Sequence, residues 1–93
     1  DGETKEFVLR GKEYVVSAEI EGERLFDGEH TEGSSSFIVN GKVSSILRAP
    51  ISDGLDYTIV DGFYIVLFNI YYSENGQPSA DICVDNWRWN VIM

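Results

Sequence analysis

The chain has 93 residues and a mass of 10.5 kDa, one domain's worth, and its 43% hydrophobic and 13% aromatic content fills a core and excludes a disordered tail. Seven Lys and Arg against sixteen Asp and Glu leave a formal charge of -9 and a pI near 4.3, which excludes a phosphate-neutralising surface; neither nucleic acid nor an anionic membrane is an expected partner. The single cysteine, Cys83, excludes an internal disulfide, and the longest apolar run, Phe63 to Phe68, is far shorter than the ~20 residues of a membrane-spanning helix.

The chain opens on Asp1, with no basic stretch leading into an apolar one, so no targeting segment is visible and the compartment is left open. The first turn signal is Arg10-Gly11-Lys12-Glu13, which places glycine first, as a type II′ hairpin turn requires. Beyond it Tyr14, Val16, Ala18 and Ile20 alternate with Glu13, Ser17, Glu19 and Glu21, and Val15 is the exception; this is a strand with one wet face.

The acidic run that follows is the most distinctive segment. Glu19, Glu21, Glu23, Asp27, Glu29 and Glu32 surround a single base, Arg24, and form a candidate partner-binding face. Asp27, Glu29 and Glu32 also offer hard oxygen ligands on a glycine-flexed loop, without EF-hand spacing; a calcium site there is the lesser reading beside a solvated strand and loop. Gly28 to Ser35 and Ala49 to Leu55 read as irregular.

Asn40-Gly41, Asp61-Gly62 and Asn75-Gly76 are type I′ pairs, because both central residues of that turn need positive φ. They set register: Val39 faces Lys42, Ile38 faces Val43, Val60 faces Phe63, Ile59 faces Tyr64 and Thr58 faces Ile65. The six residues Asn40-Gly41-Lys42-Val43-Ser44-Ser45 are similar in part to the calcium loop of βγ-crystallins. Gly41 departs from that pattern and Asp85 to Asn90 lacks the hydroxyls of a second copy, so the hairpin accounts for Asn40-Gly41 more simply.

Phe63-Tyr64-Ile65-Val66-Leu67-Phe68 has no polar parity and reads as a central strand covered on both faces. Near the C-terminus Trp87, Trp89, Val91 and Met93 share one parity, which Ile82 and Val84 do not join unless a bulge lies near Asp85-Asn86. Trp87 and Trp89, with Tyr71 and Tyr72 brought close by the Asn75-Gly76 hairpin, form a candidate sugar-stacking group if exposed; burial of at least one Trp is the competing expectation.

Together these signals predict a single all-β domain over residues 1–93, an antiparallel sandwich or small barrel of about seven strands built mainly from hairpins, with very little helix. Enzyme chemistry has little to draw on: His30 is the one histidine, and Cys83 lies in the strand context Ile82-Cys83-Val84, where a small structural role fits best. No catalytic residue and no cofactor are expected. The expected function is a non-catalytic protein-interaction module, of the inhibitor or immunity-protein kind, that presents an acidic face to a basic protein. The alternative is a small carbohydrate-binding module that uses the C-terminal aromatics.

Overall fold

The computed structural model describes residues 3–24, 31–49, 55–72, 77–85 and 87–93, with the side chains of 22–24, 31, 32 and 72 left aside. Among the described residues nine strands form two antiparallel sheets. The first contains β1 (Lys5–Leu9), β2 (Lys12–Arg24), β3 (Thr31–Val39), β4 (Lys42–Val43) and β5 (Leu47–Ala49), in the order β1-β2-β3-β4, with β5 also paired to β3. The second contains β6 (Asp56–Val60), β7 (Phe63–Tyr72), β8 (Pro78–Val84) and β9 (Trp87–Ile92) in sequential order. No helix occurs among the described residues. The excess over seven strands comes from β4 and β5, two and three residues long, which share one edge of β3.

Alternation builds the core. Tyr14, Val16, Ala18 and Ile20 of β2 turn inward while Glu13, Val15, Glu19 and Glu21 turn out, and Phe63, Ile65 and Leu67 of β7 meet them from the other sheet. Phe63 sits at the junction, 5.4 Å from the Phe7 ring and 4.6 Å from the Tyr14 ring. Fully buried Phe37, Ile65, Leu67, Ile82 and Val39 complete the interior, each such side chain worth ~1.5–3 kcal/mol of burial. Hydrogen bonds tie the sheets laterally: the Glu3 amide donates to the Ile92 carbonyl at 2.8 Å, the Arg48 amide donates to the Asp56 carboxylate at 2.9 Å, and the Ser45 and Thr58 hydroxyls lie 2.9 Å apart.

The registers expected around Asn40-Gly41 and Asp61-Gly62 are those observed. Asn75-Gly76 lies outside the described residues. Four expectations change. The first turn is centred on Arg10-Gly11, both at positive φ (54° and 78°), with Leu9 opposite Lys12; it is a type I′ turn one residue earlier than expected. That register opposes Phe7 to Tyr14, so both rings reach Phe63, and frees Lys12 to reach Asp61.

Second, no bulge separates Val84 from Trp87. The two residues pair directly across a hairpin that starts at Asp85 (φ 52°), so the parity change is the turn itself. The bulge lies instead at Phe68, where the β7 register shifts between Leu67 and Asn69 and returns Ile70 to the core. Third, residues 31–35 and Ala49 are strand rather than irregular, because the 13-residue β2 pairs with β3 as far as Arg24–Thr31. Fourth, β7 is covered on one face only: Tyr64 is 48% exposed, and Val66 and Phe68 are half-buried.

Four tight turns, at Arg10, Asn40, Asp61 and Asp85, gather at one end of the sandwich, and each opens on a residue with φ between 51° and 54°. Gly62 follows Asp61 at φ 76°, with open space where a Cβ would stand, so its substitution tests backbone strain free of any clash. Gly62→Val is expected to destabilise by about 1–3 kcal/mol and Gly62→Asn by clearly less, read from the urea midpoint at unchanged slope.

Candidate functional site

Three surfaces bear on function: the outer face of the first sheet, the β9 edge, and the turn end that holds both sheets together. At the turn end, Asp61 projects from the β6–β7 turn toward two turns of the other sheet. Lys42 lies 3.0 Å from its Oδ1; Lys12 and the Asn40 side-chain amide each donate to its Oδ2 at 3.3 Å. Asn40 is itself fixed by the strands beside it. Its Oδ1 accepts the Val15 amide at 2.9 Å, and its Nδ2 also donates to the Glu13 carbonyl at 3.2 Å. Lys12 lies over the Tyr14 ring, 5.0 Å from the centroid. These donors, Lys42 foremost, then Asn40 and Lys12, hold the Asp61 carboxyl at about 2, below its ordinary 3.8.

The outer face of the first sheet carries the acidic signal. Glu19 and Glu21 are exposed there, about 7 Å apart along β2. Their cross-strand neighbours are Ser36 and Ser34, short side chains that leave the carboxylates standing proud. Glu13 on β2 and Glu6 on β1 extend the same face. Alternation marks Glu13 as outward, but only the β1–β2 pairing adds Glu6. The backbone register sets Glu23 opposite Glu32, while Asp27, Glu29 and His30 lie outside the described residues. The metal reading at Asp27, Glu29 and Glu32 therefore falls outside them too. Among the described residues no group of three His, Cys, Asp or Glu side chains converges on a metal position.

The aromatics divide into two places. Trp87 and Trp89 share the inward parity of β9, yet they are 69% and 39% exposed, because β9 is an edge strand; Phe7 of β1 reaches across, edge-on to Trp89 at 5.0 Å. Burial of one Trp, the competing expectation, is not what is found. The two indoles, with Phe7, Leu9 and Val84, line a groove of about 350 Å³ whose rim includes Glu6 and Asp85. Tyr71 does not join them. It pairs with Ser79, which faces Ile92, and it points to the outer face of the second sheet; Tyr72 pairs with Pro78 further along. Of the four candidate stacking residues, the two tryptophans share one groove and Tyr71 lies on a different face. Cys83 is half-buried on that outer face, between Val66 and Arg88.

In comparisons with family models, with curated proteins and with solved structures, nothing matches this chain, so its own residues carry the functional argument.

The Asp61 carboxyl binds its proton less tightly folded than unfolded, so the cluster's stabilisation is complete above about pH 4 and lost as pH falls toward about 2. The expected outcome is a melting-temperature gap between wild type and Asp61→Asn that is constant from pH 7 to about pH 4 and narrows steadily below it, measured by thermal denaturation. A gap independent of pH would remove the charge from the explanation.

Proposed function

We propose that this chain is a non-catalytic protein-binding module that presents the outer face of its first sheet to a basic partner. One observation carries this reading: the allocation of charge. Among the described residues Lys5, Lys12, Lys42 and Arg88 are paired with Glu3, Asp61 or Asp81, whereas Glu6, Glu13, Glu19 and Glu21 stand exposed with no ion pair, four carboxylates against one base, Arg48, which shares their face across Ser34 from Glu21. The sheet's outer face thus keeps a net negative field on a chain of charge -9. Such a field acts beyond contact distance and raises the association rate with a cationic surface, while packing at the contact sets how long the complex lasts. Screening follows directly. The Debye length falls from ~30 Å at 0.01 M to ~8 Å at 0.15 M, so the association rate should drop steeply with salt and the dissociation rate much less.

The test is a charge reversal on the face. Glu13→Lys/Glu19→Lys/Glu21→Lys should keep the β circular dichroism spectrum, since all three side chains are exposed. It should slow association with a captured basic partner, or with an oligolysine probe, by roughly tenfold or more at low salt. An association rate that ignores both the reversal and the ionic strength would overturn the reading.

The exposure of both tryptophans favours a second reading, carbohydrate binding in the β1–β9 groove, with the indoles stacking on sugar rings and Glu6 and Asp85 accepting hydroxyl protons. Binding there should quench or shift tryptophan fluorescence in an oligosaccharide titration and vanish in Trp87→Ala. A spectrum unmoved by any glycan in a broad array would dismiss it.

A further inference from the structure

The outer face of the second sheet is the largest feature that the acidic face and the tryptophan groove leave unused. Tyr57 and Ile59 of β6 are 57% and 63% exposed, and Tyr64 of β7 stands beside them, its ring 5.5 Å from that of Tyr57. Val66 lies between Tyr57 and Cys83 in one cross-strand row, and Arg88 ends the row. The Arg88 guanidinium lies over the Phe68 ring, 4.1 Å from the centroid, and 3.5 Å from Asp81. Arg88 and Asp81 are the charged residues at outward positions of these four strands, and they neutralise one another. Tyr57, Ile59, Tyr64 and Val66 thus form an apolar patch on β6 and β7, bordered on β8 and β9 by the hydrogen-bonded pair Ser79 and Asn90, and an exposed patch of this kind on a small domain marks a contact site.

We propose that this face is the interface of a homodimer, in which two copies pack their second sheets back to back about a two-fold axis. Charge decides the occupant. A chain of -9 repels its own copies wherever carboxylates would meet, but this face presents no net charge. Back-to-back packing turns the Glu6, Glu13, Glu19 and Glu21 faces away from each other. With sheets stacked ~10 Å apart, the two acidic faces of the dimer stand roughly 30 Å apart, several Debye lengths at 0.15 M. Area agrees. Four strands ~4.8 Å apart and about six residues long make a patch of roughly 20 by 20 Å, and interdigitated packing would bury on the order of 1,000–1,500 Å² over both copies, around the lower bound for specific complexes. An isologous contact also sets like on like, which suits the Tyr57–Tyr64 and Ile59 surface. This inference does not rest on the acidic-face reading.

Sedimentation of the full chain from ~5 to ~200 µM tests it, with a dimer of about twice 10.5 kDa expected at the upper end. Ile59→Lys/Tyr64→Lys, at two exposed positions, should yield a monomer with an unchanged circular dichroism spectrum, a weakening of roughly tenfold or more. The Glu13, Glu19 and Glu21 reversal should remain dimeric, which separates failure of this inference from failure of the acidic-face reading. A second measurement needs no variant: alkylation of Cys83 by a maleimide should slow as protein concentration rises, because the dimer covers it. A wild-type monomer at ~200 µM, a Cys83 rate independent of concentration, or a dimer that survives Ile59→Lys/Tyr64→Lys and dissociates in Trp87→Ala would overturn it.

Discussion

Asp61 accepts hydrogen bonds from three side chains that belong to the opposite sheet, and these tie the two sheets directly at the turn end. Burial itself has no direction, so beside the interdigitated core a directional contact adds to the placement of the sheets. A carboxylate held by Lys12 from the start of β2, by Lys42 from β4 and by Asn40 from the turn between β3 and β4 supplies direction. The same arrangement explains the conformation of the turns. Asp61 and Asn40 both sit at φ 51°, where Asp and Asn are tolerated better than most residues, and the type I′ geometry brings their side chains to the same end of the sandwich.

With the sheets so placed, the two outer faces differ in kind. The first sheet places carboxylates outward and serine beside them; the second places aromatic and branched side chains outward, with a single compensating Asp81–Arg88 pair. Both follow from period-two alternation in strands whose inward residues are equally apolar. The sandwich therefore has one acidic outer face and one outer face without net charge, joined by a common core.

Most of this architecture is legible in short stretches of sequence. Asn40-Gly41 and Asp61-Gly62 specify turn type and register by themselves, because few residue pairs accept positive φ twice in succession. Arg10-Gly11 is harder to read: a slip of two residues keeps Phe7, Tyr14 and Val16 on the same face, so alternation does not discriminate, and the observed register is the one that meets Phe63 and Asp61, about fifty residues away. The serine run 34–36 carries no hydrophobic signal and is strand because β2 beside it is long. Tyr64, Val66 and Phe68 look like core in sequence because composition records apolar character and not whether a second layer covers it. For the sites, Glu19 and Glu21 are readable from parity. Glu6 and the exposure of Trp87 depend on which strands form edges, which is a property of the assembled sheets.

Asn40 is the one neutral group among the four side chains of the turn-end cluster, and it donates to an ionised oxygen while accepting from a strand amide. Hydrolysis of that side-chain amide, followed by loss of its proton, would leave a carboxylate where the nitrogen now lies 3.3 Å from Asp61. A donor would become an acceptor, attraction would become repulsion, and the Glu13 carbonyl would lose its partner as well. Hydrolysis of this one amide would thus loosen the turn-end tie between the sheets, a form of ageing that leaves the core residues untouched.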